Sequence, residues 1–299
     1  MAITMDDIKE LRQRTSAGVM DCKNALKEKD GDIDAAVDYL RQKGMSEAAE
    51  KSGRVASEGK VNVLINENQD KGIIVEINSE TDFVAKNDKF KNLVNDLSEH
   101  ILQSSKTELD KLLKENWFKD DNKSINEVIK EAIAEIGENI NLRRFHRYNT
   151  DGFLQGYVHL GGKIGVLINF NGEKNENTAE LARDISLHIA ASAPQYISRE
   201  DISDEVIEKE KNIYKEQMLN EGKPEHIIDN IVEGKMDKFY TQVCLKEQPF
   251  VRDEDVSVGE LLDDSELAVI DFTRFEVGEG IETEEEDFAS EVKAEMENN

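Results

Sequence analysis

The sequence predicts an α+β fold that combines three parts: a three-helix N-terminal domain, a duplicated α/β core with antiparallel sheets, and an inserted antiparallel helical hairpin. Three observations support this prediction. Short amphipathic helical patterns fill residues 4–43, a strand-then-helix pattern occurs twice within residues 60–193, and two longer helical patterns flank a Gly-Lys-Pro turn at residues 222–224. Apolar residues spaced by three or four positions indicate helices, and short apolar runs bounded by polar residues indicate buried strands.

Length and charge narrow the classes of function. The 299 residues allow two or three domains. The net charge of −27 comes from 65 acidic and 38 basic residues and would repel a phosphate backbone, so we expect no direct nucleic-acid binding. Cys22 and Cys244 are too few for a disulfide framework, which is typical of a reducing cytosol. No signal peptide or membrane span is evident, so the prediction is a cytoplasmic protein.

The first helices form the predicted N-terminal domain, residues 1–44. Thr4 and Asp7 have the spacing of a capping box at the start of the first helix. Gly44 is predicted to close the third helix, because glycine is common just after a helix end. Three short helices of this kind are similar to a ubiquitin-associated (UBA) type domain, which serves as a docking module. Residues 45–59 are small and polar and are predicted to be a linker or an exposed helix.

The core contains an internal repeat. Residues 72–78 parallel residues 165–171 as apolar strands, and residues 93–101 parallel residues 181–189 as helices. Leu, Asp, Ser, His and Ile recur in register in the two helices. Chance similarity between two amphipathic helices is the alternative, but the matching strand before each helix favours duplication.

The junction between strand and helix differs between the two copies. Fifteen positions separate Asn78 from Leu93, and ten separate Asn171 from Leu181, so the first copy has five additional residues. The segment 81–84, Thr-Asp-Phe-Val, lies in this addition. Because the second copy forms the same pattern without the extra residues, the sequence predicts a protruding element, and functional residues concentrate in such segments.

Two interpretations of the segment 81–84 remain open on spacing alone. In one, Asp82 caps the following helix and Phe83 packs inward as a hydrophobic staple. In the other, Phe83 is held outward on a rigid scaffold and contacts another molecule.

The remaining elements complete the predicted division of the chain. They are a helix over 125–136 ending near Gly137, a strand from 140, a hairpin of strands 153–160 and 164–170, two helices within 203–247 with Pro224 at the first position of the second, and a strand over 268–277 that returns to the second sheet. The predicted domains are the three-helix domain 1–44, the linker 45–59, the first core subdomain 60–150, the second core subdomain 151–200 and 248–280, the helical hairpin (coiled coil) 201–247, and a C-terminal helical module 281–299.

The sequence contains no pattern that predicts catalysis. A phosphate-binding glycine loop of either common type is absent. The five histidines lack the spacing of a zinc site. His100 and His188 occupy equivalent positions in the two repeat helices, which favours a structural role. We therefore expect no catalytic residues, no metal and no cofactor.

Several motifs resemble the bacterial elongation factor Ts family, the nucleotide-exchange factors of elongation factor Tu. The resemblance extends over nearly the whole chain. The matching segments are residues 11–23, 81–84, 136–144, 157–159, 162–166, 248–251 and 275–280.

The resemblance implies a partner and a mechanism. The partner would be elongation factor Tu, in its GDP-bound and nucleotide-free forms, with no nucleic acid and no membrane involved. By similarity, the tip of the first repeat would intrude beside the Mg²⁺ and phosphate site of the partner and speed GDP release, and GTP binding would later displace the factor. Such exchange involves no covalent step, so the resemblance implies that the chain is not an enzyme. The implied contact residues are Thr81, Asp82, Phe83 and Val84 at the tip, Arg12, Val19 and Met20 for N-terminal docking, and His159 in the core, with the helical hairpin on another face of the partner.

Two rival functions remain open at this stage. A UBA-type adaptor or nascent-chain-binding protein would explain residues 1–44 but leave the duplicated core unexplained. A hydrolase with its site in the core is the second rival, and a pair of strongly displaced pKa values in one cleft would indicate it.

Overall fold

The structure is a computed structural model that describes residues 3–15, 17–265 and 267–282. Helices and antiparallel sheets are both present, which confirms the α+β class. The helices of the described residues are α1 Met5–Thr15, α2 Val19–Glu28, α3 Ile33–Lys51, α4 Asp82–Lys86, α5 Asp88–Gln103, α6 Leu109–Leu113, α7 Ile125–Ile136, α8 Glu176–Ser192, α9 Asp204–Asn220, α10 Glu225–Val243 and α11 Val258–Asp263. The strands are β1 Glu58–Ile65, β2 Lys71–Ser79, β3 Asn116–Trp117, β4 Asp120–Ser124, β5 Ile140–Asn149, β6 Phe153–His159, β7 Ile164–Asn171, β8 Pro249–Phe250, β9 Asp253–Ser257 and β10 Ala268–Glu276.

The described residues divide into two compact units. The first comprises those within Met1–Asn62, Val75–Phe145 and Glu276–Asn299, and the second comprises Val63–Ile74 and His146–Phe275. The finer division into domains stays a prediction. Its last part, the helical module 281–299, lies outside the described residues from residue 283 onward. Within the described ranges, none of the helices combines the length and apolar character that a membrane span requires.

The N-terminal helices of the first unit share a small apolar core. The capping box at the start of α1 is confirmed: the Thr4 N–H donates to Asp7 Oδ2 at 2.8 Å, and the Asp7 N–H donates to Thr4 Oγ1 at 3.2 Å. Leu11 from α1, Leu26 from α2 and Ala36 from α3 are fully buried in one cluster. These contacts bring the three helices together around one centre.

Gly44 corrects one prediction. Helix α3 does not end there but continues to Lys51, so residues 45–51 are helical, as one of the two alternatives for residues 45–59 predicts. The physical reason is close approach: a Cβ atom built at Gly44 would lie 2.9 Å from the Cβ atom of Ala134 in α7. Glycine is therefore needed here for helix contact and not as a helix end.

A buried strand and two amphipathic helices contribute to the core of the first unit. Strand β2 is the central strand in the sheet order β1-β2-β5, and each of its residues after Lys71 is buried. The predicted apolar stripe of α5, from Phe90 to Ile101, is buried as well. Helix α7 begins with a capping box at Ser124 and ends at Gly137, whose φ of 96° is left-handed, as predicted.

The second unit repeats the sheet-and-helix arrangement. Strands β6 and β7 form the predicted antiparallel hairpin, with Phe153 opposite Phe170, and β10 joins β7 on its other edge, as predicted. Sheet residues such as Val166 and Ile168 pack with Ile185 and Ile189 of α8 in one buried cluster. The strand-then-helix order of the second copy is therefore confirmed.

Helices α9 and α10 lie in the second unit and pack on each other. Met218 from α9 is buried against Ile228, Val232 and Met236 from α10. Pro224 occupies the position before α10 rather than its first helical position, so this detail of the prediction is wrong; its ψ of 133° is extended.

The duplication extends further along the chain than the sequence predicts. His100 Nδ1 accepts the Phe118 N–H at 3.2 Å, and His188 Nδ1 accepts the Val251 N–H at the same distance. Burial lowers the pKa of His188, while its hydrogen bond with Gln248 opposes this shift. Both histidines thus hold a short strand pair against their helix, which confirms the predicted structural role.

Ion pairs recur in the same way. Asp96 pairs with Lys119 at 2.7 Å in the first unit, and Asp184 pairs with Arg252 at 2.7 Å in the second. The two helix residues, Asp96 and Asp184, are 88 positions apart in the sequence, whereas their partners Lys119 and Arg252 are 133 positions apart. The second copy therefore contains 45 additional residues after α8, in the part of the chain that includes α9 and α10.

Candidate partner-binding site

The segment 81–84 forms the start of a short helix, α4, between β2 and α5. Thr81 caps it: Thr81 Oγ1 accepts the Val84 N–H at 3.3 Å. Asn87 then caps α5 by accepting the Lys89 N–H at 2.8 Å. Two caps so close together separate α4 from α5, so that the five residues of α4 stand as an element of their own.

The side chains of α4 divide into an inner and an outer set. Val84 and Ala85 are buried and attach the helix to the first unit. Phe83 is 81% exposed, the most exposed of the large apolar side chains in the described residues. The interpretation that Asp82 caps the helix and Phe83 packs inward is therefore wrong, because Thr81 supplies the cap and the Phe83 ring points to solvent.

Asp82 lies beside Phe83 and is paired within the same helix. Lys86 Nζ donates to Asp82 Oδ2 at 2.6 Å, and the Asp82 side chain is 42% exposed. This hydrogen bond and the negative charge of Asp82 raise the pKa of Lys86. Sequence reasoning missed Lys86, although an acid four residues before a lysine is a recognised helical pair.

The base of α4 is held by residues that follow α7. Glu138 Oε2 accepts the Thr81 N–H at 3.0 Å, and Glu138 Oε1 accepts the Thr81 hydroxyl at 2.7 Å. Glu80 Oε1 in turn accepts the Asn139 N–H at 2.6 Å. Sequence reasoning missed Glu138 as well. The sequence places Glu138 directly after the helix-ending Gly137, but its partner Thr81 is 57 positions away and could not be recognised from the sequence.

The residues predicted for N-terminal docking are exposed on the first unit, to which α4 also belongs. Met20 and Val19, in the first turn of α2, are 63% and 44% exposed, and Arg12 near the end of α1 is also exposed. Their neighbours Leu11 and Cys22 are buried. The helices therefore turn two apolar side chains and one cation outward, a composition suited to contact with another protein.

His159 lies in the second unit, at the end of β6. Its Nδ1 is 2.8 Å from Tyr157 Oη, and the two rings are stacked with centroids 5.8 Å apart. The adjacent Leu160 is 70% exposed and has a left-handed φ of 47°. The hairpin turn thus presents His159 beside exposed apolar atoms.

A catalytic site would be indicated by a metal-binding cluster or by displaced pKa values in a cavity. Among the described residues, no group of three or more His, Cys, Asp or Glu side chains could hold a metal ion. Two cavities in the first unit have volumes of about 570 and 470 Å³. Burial lowers the pKa of His188 and raises that of the Cys244 thiol to about 11, yet neither residue lines these cavities.

Comparison with known proteins gives the family. A family model described as Elongation factor TS matches residues 80–279. The chain is 65% identical over 296 residues to Elongation factor Ts of Halothermothrix orenii, which covers 99% of each chain. It is 44% identical over 306 residues to Elongation factor Ts of Trichlorobacter lovleyi, with 98% of each covered, and 45% identical over 286 residues to that of Aquifex aeolicus, with 93% of this chain and 99% of the relative covered. The chain belongs to the elongation factor Ts family.

Proposed function

We propose that this chain is the guanine nucleotide exchange factor for elongation factor Tu in translation elongation, and that Asp82 and Phe83 are the residues that disturb the nucleotide site. Membership of the elongation factor Ts family supports the first part. The observation that supports the second is the Phe83 ring, 81% exposed on a helix whose other apolar residues are buried. Aromatic side chains are enriched in the buried centres of protein–protein interfaces, and a rigidly held, exposed ring is available to be covered by a partner.

The mechanism depends on the coordination chemistry of magnesium. A bound GDP is held by Mg²⁺, which requires near-ideal octahedral geometry with short bonds to oxygen. Phe83 supplies bulk and Asp82 supplies a negative charge beside it. A wedge that moves the groups around the metal by a fraction of an ångström weakens the coordination, and the diphosphate then loses its counter-ion. No covalent bond is formed or broken, so the process is exchange and not enzymatic chemistry.

The energy for this displacement comes from binding. Burying a phenylalanine side chain that is exposed in the free protein contributes about 1.5–3 kcal/mol. A coupling of about 2.7 kcal/mol between factor and GDP changes each affinity roughly 100-fold. Because coupling is reciprocal, a factor that weakens GDP binding is itself displaced when nucleotide returns, and GTP completes the cycle.

The remaining surface serves to dock the chain. Arg12, Val19 and Met20 contact the nucleotide-binding domain of the partner from the N-terminal helices, which we assign as a UBA-type docking domain. His159 and the hairpin formed by α9 and α10, inserted after α8, contact other faces. Docking by several surfaces suits a wedge mechanism, since the tip alone is too small to hold a partner in a stable complex.

The decisive experiment replaces Phe83 with alanine. Stopped-flow release of fluorescent GDP from elongation factor Tu is measured over a range of factor concentrations. We expect Phe83→Ala to reduce the maximal release rate about tenfold or more, because burial of the ring supplies the energy that displaces the groups around Mg²⁺. Circular dichroism and the unfolding midpoint should stay unchanged, since the ring lies outside the core.

Ile270→Ala is the matched control. Ile270 is 52% exposed on β10, so the substitution removes a similar exposed apolar side chain away from the tip. It should leave GDP release unchanged. Equal acceleration by wild type and Phe83→Ala would remove Phe83 from the mechanism, and no acceleration by the wild-type chain would refute the exchange function in favour of an adaptor.

A further inference from the structure

We propose that Glu138 is a positioning residue for exchange: its carboxylate fixes the base of α4 and thereby sets the direction in which Asp82 and Phe83 meet the partner. The inference rests on the proposed function, since it assigns a cause to the geometry of the same tip. Glu138 is not itself a residue of the apolar tip. It acts through Thr81, the residue immediately before Asp82.

Every polar group of Thr81 has a partner. Its N–H and its hydroxyl both donate to the Glu138 carboxylate, at 3.0 and 2.7 Å. Its hydroxyl oxygen accepts the Val84 N–H at 3.3 Å, and its carbonyl oxygen accepts the Ser79 hydroxyl at 3.0 Å. Hydrogen bonds to an ionised carboxylate are shorter and stronger than neutral ones. Glu138 therefore contributes two of the strongest contacts at the base of α4.

A second link runs in the opposite direction. The Glu80 carboxylate accepts the Asn139 N–H at 2.6 Å, so two adjacent residues before α4 and two adjacent residues after α7 exchange carboxylate–backbone hydrogen bonds. Asn139 is itself buried, and its side-chain amide donates to the Arg54 carbonyl oxygen at 2.8 Å. The reciprocal pair restricts the loop before α4 from both sides.

The backbone at Glu138 is held in place by the elements on both sides of it. It follows Gly137, the left-handed residue that ends α7, and Ile140 begins β5 two positions later. Ile125, Ile129 and Ile133 anchor α7 in the core. Helix α4, in contrast, has five residues, which is too short to be stable by its own hydrogen bonds. Its direction must therefore come from such outside contacts.

Removal of the Glu138 carboxylate should change exchange without changing docking. Two donors of Thr81 lose their acceptor, so α4 would adopt several directions and only a fraction of molecules would present Phe83 correctly. The rate at saturation falls by that fraction, while surfaces remote from the tip still bind. A residue that only supported the fold would instead lower the unfolding midpoint and the concentration of active protein.

The test compares Glu138→Ala with Glu138→Gln and Glu135→Ala in the full chain. We expect Glu138→Ala to lower the maximal GDP-release rate from elongation factor Tu about tenfold, with less than about a twofold change in the half-saturating concentration. Glu138→Gln keeps one acceptor oxygen and should give an intermediate rate. Glu135→Ala removes an acid from the last turn of α7, three positions before Glu138. The exposed pair of Glu135 with Lys89 contributes little, so this variant should match wild type.

Two further readouts separate positioning from stability. Hydrogen exchange of the Val84 and Ala85 amides in the free chain should accelerate in Glu138→Ala and stay at the wild-type rate in Phe83→Ala. A folded Glu138→Gln or Glu138→Ala protein that accelerates GDP release from elongation factor Tu as well as wild type does, while Phe83→Ala remains slow, would overturn this inference and leave the proposed function intact. Wild-type rates in Glu138→Ala, Glu138→Gln and Phe83→Ala together would remove the tip from the mechanism, whereas a wild-type chain that does not accelerate GDP release would refute the exchange function itself.

Discussion

At the scale of single residues, Glu76 shows how this acidic chain keeps a charge in its interior. Its carboxylate is fully buried and accepts hydrogen bonds from Arg143 Nη1 at 2.9 Å, Arg144 Nε at 2.6 Å, the Gly278 N–H at 2.9 Å and Asn78 Nδ2 at 3.1 Å. Burial opposes ionisation, but these donors outweigh it and lower the pKa of Glu76 below its ordinary value. The ion cluster ties β2 to β5 and to the residues that follow β10.

The effect of this cluster on stability should depend on pH. Glu76→Gln leaves two arginines without their shared carboxylate and should destabilise the chain by about 3 kcal/mol at pH 7. Because the pKa of Glu76 is lower in the folded state, its contribution is complete above pH 4.5, the ordinary value, and is lost as the pH falls through the folded-state pKa. The difference in unfolding free energy between wild type and Glu76→Gln, from urea titrations at several pH values, should therefore shrink below pH 4.5.

Glu279→Gln provides the comparison. Glu279 also pairs with Arg144, at 3.1 Å, but is half exposed. Its replacement should cost less than about 1 kcal/mol, as for other surface ion pairs. Equal costs for both variants, or a difference that stays constant down to pH 3, would contradict the role of Glu76.

At the scale of elements, α3 and α7 connect the N-terminal helices to the candidate tip within the first unit. Arg41 of α3 pairs with Glu127 and Glu131 of α7, at 3.2 and 3.6 Å. Gly44 permits close approach to Ala134 one turn later. Beyond its C-terminal end, α7 leads into Glu138, which holds α4. One helix thus supports both candidate contact surfaces of this unit.

Substitution at Gly44 tests this helix contact. Gly44→Ala gains about 1 kcal/mol of helix propensity but creates an overlap between two Cβ atoms that costs about 1–3 kcal/mol, so we expect net destabilisation. Gly234→Ala is the matched control, because a Cβ there, inside α10, meets no atom within 4 Å. It should stabilise by about 0.5–1 kcal/mol. Urea unfolding measures both, and the double variant Gly44→Ala with Ala134→Gly should recover most of the loss.

The same scale explains which elements the sequence predicts well. Amphipathic helices such as α5 and α7 and the β6–β7 hairpin are long enough for their period and their glycines to be recognised. The strand pairs β3–β4 and β8–β9 escape prediction, because strands of two to five residues carry no clear periodicity. Their equivalence emerges only from matched contacts, such as those of His100 and His188 with backbone N–H groups.

At the scale of the whole molecule, the second repeat accommodates α9 and α10 because hydrogen bonds join the residues before α9 to those at the end of α10. These joined residues form the base of the helix pair. The Gln195 and Tyr196 N–H groups donate to the Val243 carbonyl oxygen at 2.8 and 3.0 Å, and the Leu245 N–H donates to the Tyr196 carbonyl oxygen at 2.8 Å. Ile202, Val243 and Cys244 form a buried cluster at this base, while Met218 and its neighbours form another along the helices. The distal part of the helix pair is therefore separable from the core of the second unit.

Shortening the helix pair should separate docking from exchange. Replacing residues 213–233 with a Gly-Ser turn retains the closed base, so we expect cooperative unfolding with a midpoint within about 5 °C of wild type. If the pair docks on elongation factor Tu, the half-saturating concentration should rise about tenfold while the maximal GDP-release rate stays the same. Phe83→Ala, with the opposite pattern, is the reference. A lowered maximal rate with an unchanged half-saturating concentration would instead assign the helix pair to the displacement of the groups around Mg²⁺.

The sequence by itself determined the α+β class, most helices and strands, the duplication, the family resemblance and the choice of the segment 81–84 as a candidate site, because all of these depend on local periodicity, turn residues or contiguous motifs. Only the tertiary structure decided that Phe83 faces solvent, that Thr81 rather than Asp82 caps α4, and that Gly44 lies inside a helix. It alone revealed the contact of Glu138 with Thr81. The physical reason is that exposure, close helix approach and long-range hydrogen bonds depend on residues that are far apart in the chain and meet only when it folds.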